Sequence, residues 1–288
     1  MEWSTEQIKR LSDLGDFCFP PGDFSDQLSA NLAFQKREKD LSKENARGIQ
    51  EILTERERPE GVLLRERLAA ALSLAGFTQV ETPLLVSRKD LERMGLSQDN
   101  PLWEQIFWVE RNRAIRPMLA PNLYHLLVDL LRITNGRVSI FEIGACMRKE
   151  SQGARHGEEF TMLNVVEMNL KEEERLERLK EIATIVLKGA GLDIQRCSIE
   201  LEESGVYGET LDVLSSSGLE LASTAMGPHA LDSFWGIQVP WVGLGFGVER
   251  IIMALSEERG KPLNLRRAGR SLTHLGGFSL KIPRGKLR

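Results

Sequence analysis

The sequence has 288 residues, 41% of them hydrophobic and 28% charged, with a formal net charge of -4 at pH 7. This composition predicts a globular protein with a large core, and the negative charge argues against a polybasic protein that coats nucleic acid. Cys18, Cys146 and Cys197 are odd in number and far apart, which argues against a disulfide framework or a C-x-x-C zinc site. Since no run of about 18 apolar residues and no signal-peptide pattern occurs, we expect no membrane span and a cytoplasmic location.

The first 58 residues are predicted to be helical. Ser4 with Gln7 forms a capping-box pattern, and the helix that it starts should end at Gly15. Residues 25–58 are dense in charge, which predicts exposed helices with a sparse apolar stripe. That stripe consists of Leu28, Leu32, Leu41, Ile49, Ile52 and Leu53.

A helix followed by a strand is predicted next. Pro59 suits the first turn of a helix that Gly76 ends. Residues 77–86 read as a strand that contains Pro83, and because proline has no N–H to donate, this strand should lie at an edge or an interface. Ser87 with Asp90 predicts another helix start, and residues 99–101 predict a loop.

The remaining elements form an antiparallel pattern. Strands are predicted at 105–109, 114–118, 198–202, 210–214, 219–227 and 243–247, and helices at 121–133, before Gly191 and from Val248 onwards. Residues 141–150 and 159–168 form a long hairpin, since the connection between them carries Gly153 and Gly157. No alternation of single strands and helices occurs, so we expect an α+β fold, an antiparallel β-sheet flanked by helices.

Two stretches have the chemistry of a triphosphate site. Arg148 ends the hairpin, where a bidentate guanidinium suits a phosphate, and Glu150 lies two residues on, on the same strand face. The glycines of 243–247 let a strand pass close to a ligand before a helix that carries Arg250 in its first turn. The spacing is G-x-G-x-G without a following Lys-Ser/Thr, so it is neither a Rossmann fingerprint nor a P-loop.

In this order, these stretches resemble the three signature motifs of class II aminoacyl-tRNA synthetases. Longer blocks are similar to the catalytic domain of pyrrolysyl-tRNA synthetases, in the form that lacks a separate N-terminal tRNA-binding domain. The blocks are 116–124, 140–144, 148–151, 159–164 and 243–250. The resemblance implies a catalytic domain over 59–275, a possible tRNA-contacting segment over 1–58 and a basic tail over 276–288.

The resemblance also implies an amino-acid pocket. Asn164 falls on the position whose amide bonds the carbonyl of the substrate's side chain, and Tyr207 on a mobile-loop tyrosine that closes over the substrate. A wrong substrate would leave the buried amide unsatisfied. The apolar pocket positions are Ala120, Leu123, Tyr124, Leu127, Val166, Ala225 and Trp241.

For ATP, the resemblance implies Arg148 on the α-phosphate and Arg250 on the γ-phosphate, with Phe160 and Arg250 on either side of the adenine. Glu150 and His156 fall on further ATP-contacting positions. Glu220 and Ser223 fall on magnesium positions, and hard oxygen donors suit Mg²⁺.

The implied reaction joins pyrrolysine to its cognate tRNA in two steps through an aminoacyl adenylate, in a homodimer whose interface holds the Pro83 strand. The basic residues of 261–288, a stretch without any acidic residue, could meet a phosphate backbone. Met147, Gly157 and Ala225 depart from the family pattern, which affects the expected pocket shape and ATP loop.

Two alternatives remain open. One is a class II enzyme for phenylalanine or phosphoserine, which Asn164, Tyr207 and Trp241 together argue against. The other is a synthetase-like binding protein without chemistry, which the loss of any of Arg148, Glu150, Glu220 or Arg250 would have favoured.

Overall fold

The computed structural model describes residues 2–14, 24–56, 58–134, 136–149, 158–204 and 208–259. The chain divides into two compact units, of which the first contains the two N-terminal helices and the second spans Leu64–Leu263. Across the described ranges, no helix combines the length and the apolar character that crossing a bilayer requires.

The first unit contains helices α1 (Thr5–Asp13) and α2 (Gln27–Glu55). The predicted capping box is confirmed, because Ser4 N donates to Gln7 Oε1 at 2.9 Å and Gln7 N donates to Ser4 Oγ at 3.2 Å. Gly15, the predicted end of this helix, lies outside the described residues.

The exposed helix predicted within 25–58 is confirmed as α2, but its apolar stripe is not the face that packs on α1. Of its described members, Leu41 is buried with Leu11 and Leu14 of the α1 region, but Leu28, Leu32 and Leu53 are exposed. The packed face uses small and aromatic side chains instead, with Ala30 fully buried and its carbonyl accepting from Trp3 Nε1 at 2.9 Å. Sparse leucines on a charged helix therefore did not identify which face a partner helix covers. The side chains of Ile49 and Ile52 are not among those described.

The helices that follow are α3 (Glu60–Leu74), α4 (Arg88–Arg93), α5 (Pro101–Glu104), α6 (Ala120–Ile133), α7 (Arg175–Ala190), α8 (Asp232–Trp235) and α9 (Val248–Glu258). Single 3-10 turns occupy Glu172–Glu174 and Ile194–Arg196. The strands are β1 (Thr78–Gln79), β2 (Leu85–Ser87), β3 (Trp108–Glu110), β4 (Arg113–Ile115), β5 (Val138–Met147), β6 (Glu159–Met168), β7 (Ser198–Ser204), β8 (Gly208–Leu214), β9 (Glu220–Gly227) and β10 (Trp241–Gly247).

A seven-stranded sheet organises the second unit, with strand order β1-β5-β6-β10-β9-β8-β7. Its pairings are antiparallel except that of β1 with β5, so the predicted α+β class is confirmed. The predicted hairpin is confirmed too, since β5 and β6 pair without a register shift from Val138 opposite Met168 to Met147 opposite Glu159. Strands β2, β4 and β3 form a separate small sheet.

The strand predicted at 77–86 is not continuous. It is divided into β1 and β2, and Pro83 lies exposed between them, where Leu84 O accepts from Arg116 N at 3.0 Å. The edge position is correct, because β1 closes one side of the large sheet and β2 one side of the small sheet. The loop predicted at 99–101 is confirmed for Asp99 and Asn100, and α5 begins at Pro101, with Asn100 Oδ1 accepting from Leu102 N at 2.9 Å.

A buried ion pair joins the two sheets. Arg116 follows β4 and is 4% exposed, and its Nη1 lies 2.8 Å from Oε1 of Glu142 on β5, which is fully buried. Thr82 donates to the same carboxylate through Oγ1 at 2.7 Å and through its backbone N at 3.1 Å. Arg116 Nε also donates to Ala145 O at 2.8 Å, and a Cβ at Gly144 would overlap the guanidinium. The pair therefore fixes β5 against the β1–β2 connection.

Replacing Arg116 with methionine should destabilise the fold by about 3–5 kcal/mol, because it leaves the charge of Glu142 buried without its cation. Urea unfolding followed by circular dichroism measures this loss. The matched control is Arg132→Met, since Arg132 is 76% exposed and pairs with the exposed Asp129; its cost should stay below about 1 kcal/mol. Equal stability of the two variants would contradict the role given to the buried pair.

Candidate functional site

The middle strands of the large sheet present one face on which the predicted site residues lie. Residues directly opposite each other on antiparallel strands share a face. On β6 this face carries Phe160, Met162, Asn164 and Val166, and their opposite residues on β10 are Gly247 for Met162, Gly245 for Asn164 and Gly243 for Val166. Trp241 of β10 lies opposite Met168, and Ser223 and Ala225 of β9 lie opposite Gly245 and Gly243. We call this side of the sheet the site face.

The glycines of β10 form a floor without side chains. A Cβ at position 245 would lie 3.2 Å from Met162 Cε and 3.4 Å from Asn164 Oδ1. At position 243 it would lie 2.9 Å from Cζ3 of the Trp241 indole ring. Neighbouring side chains therefore lie close over the glycine backbone, and the close approach of a ligand to this strand stays a prediction.

A bulge on β9 brings Glu220 and Ser223 to the site face together. Val213 of β8 lies opposite Ala222, but the next residue, Leu214, lies opposite Glu220, so Leu221 is an extra residue in β9. Leu221 and Ala222 are both buried, whereas Glu220 and Ser223 are half-buried. Without the extra residue, two side chains three positions apart would point to opposite faces of the sheet.

Arg250 and Glu220 are paired directly. Arg250 Nη1 lies 2.9 Å from Glu220 Oε2 and donates to the backbone oxygen of the same residue at 3.1 Å. The side chain packs over Gly247, where a Cβ would lie 3.3 Å from Arg250 Cδ. The two groups predicted to meet the γ-phosphate and magnesium are therefore neighbours across the end of β10.

Arg148 lies beside Phe160 at the same end of the site face. Its guanidinium carbon is 5.1 Å from the centre of the phenyl ring, and its Nε donates to Pro117 O at 2.8 Å. Cys146, opposite Phe160 in the hairpin, is fully buried, and burial raises the pKa of its thiol to about 12. This cysteine therefore remains a thiol at neutral pH and does not provide a nucleophile.

Glu249 fixes the start of α9 to the start of β6. Both of its carboxylate oxygens accept from Thr161 N, at 3.0 and 2.9 Å, and burial raises the pKa of the carboxyl group. Because Thr161 follows Phe160 and Glu249 precedes Arg250, this contact sets the distance between two predicted adenine neighbours. The sequence pattern assigns Glu249 no role beyond membership in the glycine motif.

The opposite end of the site face is apolar. One buried cluster contains six of the predicted pocket residues, Leu123, Tyr124 and Leu127 of α6 with Val166, Ala225 and Trp241 of the sheet. Ala120 packs against the same cluster. The structure thus brings together seven side chains that lie up to 121 positions apart, from Ala120 to Trp241.

Asn164 lies between the charged and apolar ends. Its nearest cross-strand neighbours are Glu142 on β5 and Gly245 on β10. Its Oδ1 atom is buried and finds no hydrogen-bond partner among the described residues. Because a buried amide oxygen without a donor is costly, this position fits a ligand with an amide group of its own.

Asp232 is a central residue that the sequence analysis missed. It is 1% exposed, and its carboxylate accepts from Tyr124 Oη at 2.8 Å and from Trp241 Nε1 at 2.7 Å. The only signal in the sequence was one carboxylate in the apolar stretch 230–235. Glu150, His156 and Tyr207, three predicted site residues, lie outside the described residues, as do Gly157 and the basic segment 261–288.

The donors at Glu220 and Ser223 fit magnesium rather than a transition metal. In the described part of the chain, no three His, Cys, Asp or Glu side chains come together as a metal cluster. A carboxylate and a hydroxyl on one face leave most coordination positions to phosphate oxygens and water, which is how Mg²⁺ is usually bound. With Arg148 and Arg250 at the same end, the arrangement can bind a polyphosphate beside the apolar cluster.

Comparisons with known proteins agree with this geometry. Residues 49–215 match the model of the family described as phenylalanyl tRNA synthetase beta chain CLM domain. The crystal structure of pyrrolysyl-tRNA synthetase from Desulfitobacterium hafniense is 44% identical, with a TM-score of 0.85, over 98% of this chain and 99% of that chain. A structure of Desulfitobacterium hafniense PylSc, a pyrrolysyl tRNA synthetase, is 43% identical, with a TM-score of 0.84, over 98% of this chain and 96% of that chain. This chain therefore belongs to the pyrrolysyl-tRNA synthetase family and is a class II aminoacyl-tRNA synthetase, a ligase.

Proposed function

We propose that this synthetase joins pyrrolysine to its cognate tRNA in two steps, both of which take place on the site face. The observation that carries the proposal is the placement of two arginines, a carboxylate and a hydroxyl at one end of that face and an apolar cluster at the other. An amino acid with a long apolar side chain and ATP can then meet between the two ends.

In the first step, the carboxylate of pyrrolysine attacks the α-phosphorus of ATP. A new oxygen–phosphorus bond forms, the bond to the β-phosphate oxygen breaks, and pyrophosphate leaves. Arg148 would neutralise charge on the α-phosphate and Arg250 on the γ-phosphate, while Phe160 stacks on the adenine. Catalysis then comes from positioning and charge stabilisation, without a nucleophilic side chain.

Glu220 and Ser223 would hold Mg²⁺, which neutralises the charge of the phosphates when it is bound. Arg250 already pairs with Glu220 at 2.9 Å, so the carboxylate is held in place before ATP arrives. Binding would exchange part of this pairing for contacts with phosphate oxygens. Glu150 and His156 remain predicted ATP contacts.

In the second step, the terminal ribose hydroxyl of the tRNA attacks the carbonyl carbon of the adenylate, and AMP leaves. We propose residues 1–58 as a tRNA-contacting segment and 59–275 as the catalytic domain, with 276–288 as a basic tail. The cytoplasm is the proposed location, because charged tRNA is consumed there in translation.

Asn164 would select the substrate by its side-chain amide. The Nδ2 group can donate to the carbonyl of an Nε-acylated lysine, and the buried Oδ1, without a partner among the described residues, can accept from a donor of the bound substrate. Tyr207 would close over the ring. The apolar wall around this amide binds small amino acids poorly, because they leave it unfilled.

The activation step predicts ATP–pyrophosphate exchange with pyrrolysine and an Nε-carbamoyl-lysine analogue, but not with phenylalanine or phosphoserine. Chelation of Mg²⁺ should abolish it, and Arg148→Ala should lower its rate by about 100-fold or more. Arg132→Ala, which removes an exposed guanidinium far along α6, is the matched control and should leave the rate unchanged. Exchange with phenylalanine alone would contradict the proposed pyrrolysine pocket. Near-normal exchange in Arg148→Ala would contradict the proposed role of Arg148 at the α-phosphate.

Replacing Asn164 with alanine should raise the KM for an Nε-acylated lysine about tenfold, because one buried hydrogen bond of about 1–3 kcal/mol is lost. The KM for ATP should not change. Steady-state exchange kinetics measure both constants, and a carbonyl-free analogue of the same length serves as the substrate control. If the variant lost affinity for both analogues equally, Asn164 would not be the group that reads the carbonyl.

We also propose a homodimer in which the exposed segment around Pro83 meets its copy. Leu84 and Leu85 are each 43% exposed, and the backbone of this segment is held by Asn122 Nδ2, which donates to Pro83 O at 2.5 Å. Val109 of the neighbouring strand β3 is 56% exposed. A rigid apolar segment at a sheet edge is suited to pairing with a second copy.

Sedimentation velocity should show a dimer for the wild-type chain and a monomer for the double variant Leu84→Asp, Leu85→Asp. The charges would be buried without partners in the interface. Ile133→Asp, at a residue that is 79% exposed at the end of α6, should leave the dimer intact. A wild-type chain that stays monomeric at micromolar concentration would rule out this proposal.

A further inference from the structure

Asp232 holds two aromatic residues of the apolar cluster at once. Its Oδ1 accepts from Tyr124 Oη at 2.8 Å, and its Oδ2 accepts from Trp241 Nε1 at 2.7 Å and from His229 N at 2.6 Å. Three donors from α6, β10 and the approach to α8 thus converge on one buried carboxylate. The side chain is 1% exposed, and both of its carboxylate oxygens are already engaged by donors of the protein.

We propose that Asp232 is a positioning residue that sets the amino-acid specificity of this synthetase through Tyr124 and Trp241. The inference rests on the proposed function, in which these two rings form a wall of the amino-acid pocket. Asp232 acts through the rings, so its removal should change recognition of the amino acid and leave recognition of ATP intact.

The contact with Asp232 gives the Trp241 ring a hydrogen bond that the glycines beside it do not provide. The indole ring lies across the glycine floor, where a Cβ at Gly227 would overlap it and one at Gly243 would lie 2.9 Å from Cζ3. Glycines make room for the flat ring but provide no side chains to hold its angle. The hydrogen bond from Nε1 to Asp232 supplies the missing direction.

Tyr124 transmits the same constraint to the next ring. Its centroid lies 5.1 Å from that of Trp235 with an interplanar angle of 25°, and 6.4 Å from that of Trp241 with an angle of 88°. Tyr124 is therefore stacked on Trp235 and meets Trp241 edge to face. Because Asp232 bonds both Tyr124 and Trp241, the two rings cannot rotate independently.

Packing alone does not require a carboxylate at this position. An apolar residue in place of Asp232, with phenylalanine in place of both Tyr124 and Trp241, would fill similar space and would remove the two side-chain donors that now need this acceptor. A buried polar network in which each member is satisfied selects one arrangement of side chains among several of similar packing. A single arrangement matters most where the wall must match the outline of a bulky ring.

The test compares three substitutions of Asp232 in pyrophosphate exchange. Asp232→Ala removes the acceptor for both rings. Asp232→Ser keeps an oxygen for His229 N but is too short to reach either ring, so it separates the support of the turn before α8 from the positioning of the wall. Asp232→Asn can accept from Trp241 and His229 and donate to Tyr124 Oη, so it preserves the whole network. Asp129→Ala removes a 70% exposed carboxylate from the helix of Tyr124 and is the matched control.

The alanine and serine variants should raise the KM for pyrrolysine about tenfold, while the KM for ATP stays within about twofold of the wild type. The asparagine variant should restore the wild-type KM. A variant that merely folds less well lowers the active fraction and hence the apparent kcat, but the molecules that remain folded keep their KM. Thermal unfolding of each variant identifies any loss of stability separately.

Three results would overturn the proposal. The first is an unchanged KM for pyrrolysine in folded Asp232→Ala or Asp232→Ser. The second is a rise in the KM for ATP equal to the rise for pyrrolysine. The third is an Asp232→Asn variant whose KM for pyrrolysine is as high as that of Asp232→Ala. If the wild-type enzyme itself activated no Nε-acylated lysine, the proposed pocket would fail rather than the role of Asp232. The two failures are therefore distinguishable in one set of assays.

Discussion

The buried pair of Arg116 and Glu142 is the contact on which the placement of the other elements depends. It joins the end of β4 to β5, and Thr82 adds the β1–β2 connection through two further bonds to the carboxylate. Burying both charges is costly, and the close pairing and added donors offset that cost. Arg148 directly follows the last residue of β5, so fixing β5 also fixes where Arg148 lies relative to the sheet.

The site face uses this fixed sheet to separate two kinds of chemistry along the same strands. The end near Phe160 and Gly247 carries arginines and a carboxylate, and the end near Val166 and Trp241 is apolar. Asn164 lies in register between them. Side chains at both ends lie close over the glycines of β10, which add no side chains of their own between the charged end and the apolar end.

Local chemistry accounts for the parts of the fold that were predicted correctly. The hairpin followed from two apolar strands around a glycine-containing connection, and the helix starts at Ser4 and Ser87 from side chains that accept from backbone N–H groups three residues on. The predictions differed from the structure where the local conformation depends on a segment distant in sequence. The face of α2 that is buried depends on α1, and Pro83 ended a strand because the backbone there turns toward Arg116.

The sequence by itself determined the class of the fold and the order of the motifs, because these depend on short-range periodicity and turn residues, and the predicted site residues came from the resemblance of its motifs to class II synthetases. Only the tertiary structure decided how they meet. The extra residue Leu221 brings Glu220 to the face of Ser223, and Asp232 bonds two rings 117 positions apart in the chain, from Tyr124 to Trp241. Strand register and buried hydrogen bonds depend on partners distant in sequence, so no local pattern encodes them.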